Sequence, residues 1–257
     1  MIQNEFPHDI SEDENNIGGR NPVLEAIRSG ATIERIWVAN ASFEGSILKI
    51  IALAKDKGIP ICNCERAFLD KKFPNISHQG VGALLSPKDY CSVDDILDYA
   101  KEKNEKPFVV ICDGIEDPHN LGAIIRNADA AGAHGIIIPK RNSCVVNDTV
   151  YKTSAGAAIT MKVAKVTNIT SLIKDLKEKG LWIFGADGEG DSTVFNSDFN
   201  CPLAIVIGSE GFGIASLVKK NCDYLISLPM RGTVSSLNAS SCAAVIFYEV
   251  VRKRMNI

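Results

Sequence analysis

Runs of apolar residues alternate with amphipathic stretches along the chain, and this alternation predicts its elements. "NPVLEAIRSG" (residues 21–30) reads as a helix capped by Asn21, with Pro22 at its first position and Gly30 at its stop. "IERIWVAN" is a strand, "GSILKIIALAKDKG" a helix ending at Gly58, and "VGALL" closes this first set near residue 86. "SPKDYCSVDDILDYAKEKNEKP" follows, with Ser92 placed to cap a charged helix, and reads as a connector. A second series then runs through strand "FVVICDGI", helix "LGAIIRNADAAGA", strands "HGIIIP" and "KVAKV", and helix "ITSLIKDLKEKG". It continues through strands "LWIFGA" and "LAIVIGS", helix "IASLVKKN", strand "YLISLP" and a final apolar helix. Continuous Val/Ile/Leu strands between amphipathic helices predict a parallel sheet covered on both faces. The expectation is an acidic tail over residues 1–16, an α/β domain over 17–86, a connector over 87–105 and a larger α/β domain over 106–257.

Composition narrows the function classes. The chain has 257 residues, 46% hydrophobic and 23% charged, as a folded globular protein has. No apolar run reaches the ~18–20 residues of a membrane span, and the start lacks a signal-peptide pattern. The eight cysteines are scattered without a C-x-x-C pair, which predicts free thiols, a reducing cytoplasmic setting and no metal site. The net charge of −3 means that any binding to nucleic acid must use a local basic patch.

Ligands of parallel α/β sheets sit beyond the carboxyl ends of strands, and three such ends are unusual. In "DGIEDPHNLGAIIRNADAAGAHG" (113–135), Asn120 opens a helix and Arg126 lies six positions on, a lone cation among small and apolar residues. The plainer reading is a capping Asn120 and a solvated Arg126. In "LAIVIGSEGFGI" (203–214), a buried strand runs into Gly208, Gly211 and Gly213 with Glu210 among them. This loop lacks the Lys-Ser/Thr of a phosphate cradle, and a carboxylate inside one would repel a phosphate. In "PMRGTVSSLNAS" (229–240), Ser235, Ser236 and Asn238 crowd the start of the last helix, where Ser235 or Ser236 alone would serve as a cap. The surplus of donors and acceptors points to a polar ligand pocket.

Together, "NLGAIIRNADAAGAHGIIIP", "IVIGSEGFGI" and "LPMRGTVSSLNAS", with "KTSAGA" (152–157) between the first two, resemble the three motifs of the SpoU/TrmH family of RNA ribose 2′-O-methyltransferases. The resemblance spans residues 106–257. "GRNPVLEAI" and "HQGVGALL" resemble more loosely the ribosomal-protein-like RNA-binding domain of the branch that methylates a guanosine of 23S rRNA. It implies a deep trefoil knot, S-adenosylmethionine as methyl donor, RNA as partner and a homodimer with shared active sites. On the family's motifs, Asn120, Arg126, Glu210, Ser236 and Asn238 fall at catalytic positions. Gly208, Gly213, Leu228, Ser235 and Leu237 fall at cofactor-binding positions, and His119 reads as structural. A guanidinium stays protonated in proteins, so Arg126 suits holding a phosphate and stabilising an alkoxide better than acting as a base. Glu210 would orient it, and Ser236 and Asn238 would hold the ribose. Valine at Gly208 is expected to block the cofactor without unfolding the domain. Competing readings are a tRNA substrate, a non-catalytic RNA-binding assembly factor and a small-molecule binder. Finally, "LNASSCAAVIFYEVVRKR" (237–254) is apolar around nearly its whole circumference, which predicts burial on more than one side and hence a dimer.

Overall fold

The structure is a computed structural model that describes residues 16–40, 45–85 and 90–256. It divides into two compact units, Met1–Lys88 and Asp89–Ile257. In the first, β1 (Asn16–Gly18), α1 (Arg20–Ser29), β2 (Ile33–Ala39), α2 (Ser46–Asp56), β3 (Ile61–Cys64), α3 (Arg66–Lys72) and β4 (Val81–Leu85) build a four-stranded sheet. Its order is β1-β4-β2-β3, with β2 and β3 parallel and the other pairs antiparallel. Helix α1 starts earlier than its sequence suggests: Gly19 occupies the cap position and Asn21 lies inside the helix. Gly30 ends it in the left-handed conformation, as only an unhindered residue does at no cost. The short β1, β3 and α3 carry too little periodicity to be read from sequence. Residues 1–15 of the expected tail lie outside the described residues, and Asn16 is the first residue of β1 rather than part of that tail.

In the second unit the sheet is built from β5 (Phe108–Asp113), β6 (Gly135–Pro139), β7 (Val163–Val166), β8 (Trp182–Ala186), β9 (Ser192–Thr193), β10 (Leu203–Gly208) and β11 (Tyr224–Ser227). All of its pairings are parallel and its order is β7-β6-β5-β10-β8-β11-β9. The helices are α4 (Val93–Glu102), α5 (Pro118–Ala130), α6 (Asp148–Thr153), α7 (Ala157–Thr160), α8 (Ile169–Glu178), α9 (Ser216–Lys219) and α10 (Ala239–Met255). The central strands β5, β6 and β10 are buried on both faces, which accounts for their unbroken apolar runs. The knot implied by the resemblance is compatible with this strand order.

One expectation changes here. The segment read as a connector supplies α4, whose Ile96 and Leu97 belong to the second unit's core beside Val109, Ile137 and Leu172. Its capping box is complete: the Ser92 hydroxyl accepts from the Asp95 N–H, and the Asp95 carboxylate accepts from the Ser92 N–H.

The carboxyl end of α10 is tied to the segments that lead into β5 and β10 through Arg254. Its guanidinium donates to the carbonyls of Lys106, Pro107, Phe199 and Cys201, at 2.9, 3.0, 3.3 and 2.8 Å, and stacks over Phe108. Burial holds its pKa below the ordinary arginine value, and the carbonyls compensate for the lost water. No other side chain presents that fork, so Arg254→Ala should cost about 2 kcal/mol or more, with Arg254→Lys recovering only part of it. Urea unfolding of the two variants measures both effects.

Candidate functional site

The site is assembled where β10 stops. Gly208 ends the strand, and the chain turns back at once: the Gly213 N–H donates to the Ser209 carbonyl at 2.9 Å and the Ser209 N–H to the Gly213 carbonyl at 3.1 Å. Gly211 and Gly213 take φ values of 84° and 66°, the left-handed region. The Asp113 carboxylate, at the end of neighbouring β5, accepts from the Ala215 N–H at 2.7 Å and holds the far end of the loop. This closed loop projects Glu210 toward the starts of α5 and α10.

Glu210 Oε1 accepts from Asn120 Nδ2 at 3.0 Å, from Asn238 Nδ2 and from the Ala239 N–H at 3.3 Å. Asn238 Nδ2 also donates to Asn120 Oδ1 at 2.9 Å. Asn238 Oδ1 accepts from the Ser240 and Ser241 N–H groups and the Ser240 hydroxyl, so Asn238 is the N-cap of α10. This differs from the sequence reading in three ways. The cap is Asn238, not Ser235 or Ser236, and the helix begins at Ala239 rather than 237. Asn120 does not cap α5: the Asp117 carboxylate does, with Pro118 at the first helical position, while Asn120 is buried. Asn238 has both amide hydrogens and its oxygen engaged within the protein, where it holds Glu210 and Asn120 and caps α10. His119 is exposed, and its N–H donates to Asp117.

A cleft of about 880 Å³ opens beside this cluster. Gly208, Gly213, Leu228, Ser235 and Leu237 all line it, as do Glu210, Ser236 and Asn238. A Cβ at Gly188, Gly211 or Gly213 would meet nothing within 4 Å, so these backbones open the cleft rather than fill a packed turn. Such a wall of bare backbone, apolar Ile226, Leu228 and Leu237, and the hydroxyls of Ser235 and Ser236 fits a ligand with a flat apolar ring and hydroxyl groups. Arg126 is the residue the structure does not bring here. It is exposed on α5 and absent from the lining of the cleft.

The sequence reading passed over the carboxyl end of β8, where Ala186, Asp187, Gly188 and Glu189 form a further wall. The acidic, glycine-containing turn of "GADGEG" after an apolar strand was the signal. Burial pushes the Asp187 carboxyl up, but the ion pair with Lys219 and the Glu189 N–H outweigh it and leave its pKa below the ordinary value. Among the described residues no cluster of histidine, cysteine and acidic side chains suits a metal ion, and no helix is long and apolar enough to cross a membrane.

Gly208 is required for a reason other than the one expected from sequence. A Cβ there would lie 2.2 Å from the Gly213 carbonyl carbon and 2.3 Å from the Ile214 nitrogen, inside its own loop rather than in the cleft. A side chain at 208 therefore displaces the loop and Glu210 with it. Gly208→Ala should lose about 1–3 kcal/mol of stability as well as ligand affinity, read by urea unfolding and titration calorimetry. Full stability with selective loss of affinity would restore the direct-contact account.

Comparison with known proteins follows the same division of the chain. A model of the SpoU rRNA methylase family matches residues 107–248, and one described as RNA 2′-O ribose methyltransferase substrate binding matches residues 17–91. A putative TrmH family tRNA/rRNA methyltransferase, YacO of Bacillus subtilis, is 45% identical over 245 residues, covering 95% of this chain and 98% of its own. An uncharacterized tRNA/rRNA methyltransferase of Mycolicibacterium vanbaalenii is 41% identical, covering 96% and 79%. The SpoU methyltransferase AviRb of Streptomyces viridochromogenes, solved in complex with the cofactor AdoMet, superposes with a TM-score of 0.80 at 26% identity, over 95% of this chain and 92% of that one. With its methylase motifs, its sheet and more than half its length matched, the chain belongs to the SpoU rRNA methylase family.

Proposed function

We propose that the protein transfers a methyl group from S-adenosylmethionine to a ribose 2′-hydroxyl of RNA, with a guanosine of 23S rRNA as its substrate. The observation that carries this reading is the Asn120–Glu210–Asn238 cluster standing at the rim of a cleft whose walls suit an adenosine. Gly208, Gly213, Leu228, Ser235 and Leu237 would hold the cofactor, largely through backbone atoms. When bound, it supplies an activated methyl group for in-line displacement. The protein's own part is to orient the ribose and to stabilise the oxygen as it loses its proton. Ser236, exposed on the cleft wall, has a free hydroxyl to place against the ribose. The dedicated N-terminal unit, matching a substrate-binding model, favours a large structured RNA. The tRNA reading keeps the same chemistry with a different RNA.

Arg126 enters through a second copy of the chain. Helix α10 buries Ala243, Ile246, Phe247 and Val250 against its own sheet and α5. Ser241, Val245, Tyr248 and Arg252, spaced along the opposite face, are exposed, with Tyr248 54% and Val245 39% accessible. The apolar part of that face is open to a partner. A homodimer through α10 would cover it and carry the exposed Arg126 of one copy to the cleft of the other, where its guanidinium binds the target phosphate and the developing alkoxide.

The test is methyl transfer from labelled S-adenosylmethionine to total RNA of cells lacking the gene, with the product nucleoside identified by mass spectrometry. Transfer to a 2′-hydroxyl of 23S rRNA is expected, and transfer to tRNA alone would redirect the substrate. Cofactor binding without transfer to any RNA would favour the assembly-factor reading. Arg126→Ala should reduce kcat by about 10²-fold or more while leaving cofactor affinity within twofold, the pattern of a contact made in the transition state. Mixing Arg126→Ala with Ser236→Ala chains should regain activity, because mixed dimers contain one intact composite site. A fully active monomer by light scattering refutes the dimer.

A further inference from the structure

Phe212, at the tip of the loop that carries Glu210, is 95% exposed, more than any other large apolar side chain among the described residues. Phe73, Phe108, Phe199 and Phe247 are by contrast fully buried. Hydrophobic burial stabilises in proportion to area, and at 95% exposure Phe212 draws almost none of that gain from this fold, leaving its ring available to a ligand. The loop does not let it fold back. Ser209 and Gly213 are bonded to each other in both directions, and Asp113 pins Ala215. The left-handed glycines on either side of Phe212 turn its ring outward.

Phe212 also separates two hollows. On one side is the cleft already described. On the other lies a second cleft of about 390 Å³, beyond the ends of β5, β6 and β7, lined by Arg141, Asn142, Thr167 and Thr170. Its volume is that of a small-ligand site, and its lining sets the Arg141 cation and amide and hydroxyl groups beside apolar Pro139, Ile169 and Val218. Asp113 also faces it, with its carboxylate engaged by the Ala215 N–H.

Resting on the proposed RNA methyl transfer, we infer that this second cleft takes a nucleotide of the substrate RNA flanking the one methylated. Its base stacks on Phe212 and its phosphate is met by Arg141. Sequence-tolerant stacking on an exposed aromatic beside a positive charge is the usual mode of holding an unpaired nucleotide. Placing that platform on the same seven-residue loop as Glu210 links capture of the flanking base to the alignment of the target ribose.

The experiment compares the full-length protein with Phe212→Ala, Phe212→Leu, Phe212→Trp and Arg141→Ala. It measures cofactor Kd by calorimetry, RNA retention by filter binding, the KM for total RNA of cells lacking the gene, and oligomeric state by light scattering. Alanine and leucine at 212 should raise the RNA Kd and KM at least fivefold, with cofactor Kd unchanged. Tryptophan should stay within twofold of the parent in all three. Arg141→Ala should weaken RNA binding and lower the slope of log affinity against log salt by about one. A leucine variant equal to the parent overturns stacking, and a shifted cofactor Kd or a loosened oligomer in the alanine variant reassigns Phe212 to the cofactor or the partner chain. If the parent retains RNA through Phe212 but transfers no methyl group, the proposed reaction fails and the nucleotide cleft stands. If it transfers methyl groups and the variants bind and react as it does, the cleft fails and the reaction stands.

Discussion

A single carboxylate oxygen holds together the end of the second unit at which the cleft opens. Glu210 Oε1 accepts from Asn120, from Asn238 and from the first N–H of α10, groups 90, 28 and 29 residues away along the chain. A helix start exposes backbone donors that need an acceptor, and its dipole favours a negative charge there. Glu210 meets both demands for α10, and the two asparagine amides spread its charge over further donors. Three segments that packing alone would place only approximately are thereby fixed at hydrogen-bond precision. The cleft beside them inherits that precision, since Ser236 and Leu237 directly precede the cap.

This dependence explains the glycines better than ligand contact does. The loop must leave β10, reverse and return within a few residues, and the Gly208 position touches the Gly213–Ile214 backbone so closely that no Cβ fits. The tight reversal serves to deliver Glu210, with Asp113 as its second anchor. What faces the cleft, by contrast, is backbone at Gly188, Gly211 and Gly213, where a Cβ meets nothing. Glycines of one loop thus serve two purposes, close internal contact at 208 and, at 211 and 213, a left-handed turn whose backbone stays open to the cleft. Only coordinates separate the two.

The same division marks what could be read from the sequence. Local signals were legible: Gly30 ending α1, Ser92 capping α4, and the unbroken apolar runs that became β5, β6 and β10. The motif-bearing stretches do converge, and every residue expected to bind cofactor lines one cleft. What failed was the assignment of caps. Asn120 and the two serines carried the right chemistry for capping, but Asp117 and Asn238 did it, because the choice among neighbouring polar residues is settled by distant partners such as Glu210. Helix α4 was misplaced for a related reason. Its charged sequence resembles a linker, while Ile96 and Leu97 find their apolar surroundings on β5, β6 and α8. The short β9, α6 and α7 lie below the length at which periodicity is informative.

Arg126 shows where a single chain stops explaining its own residues. Asn120 and Arg126 share α5, yet one is buried in the Glu210 cluster and the other stands in solvent. An arginine serving only solubility is commonplace, and on one chain that account would suffice. It does not extend to its surroundings, since α5 is tied to α10 through Asn127 and the Ser240 carbonyl, and α10 exposes Val245 and Tyr248 on the face its own core leaves free. An exposed cation on α5 and an uncovered apolar strip on α10, the two helices whose starts build the site, are what the proposed composite site would require of each half. In the proposed homodimer each copy would supply the clamp that orients its own cleft and the charge that completes its partner's, so that assembly and catalysis would become one constraint on the same pair of helices.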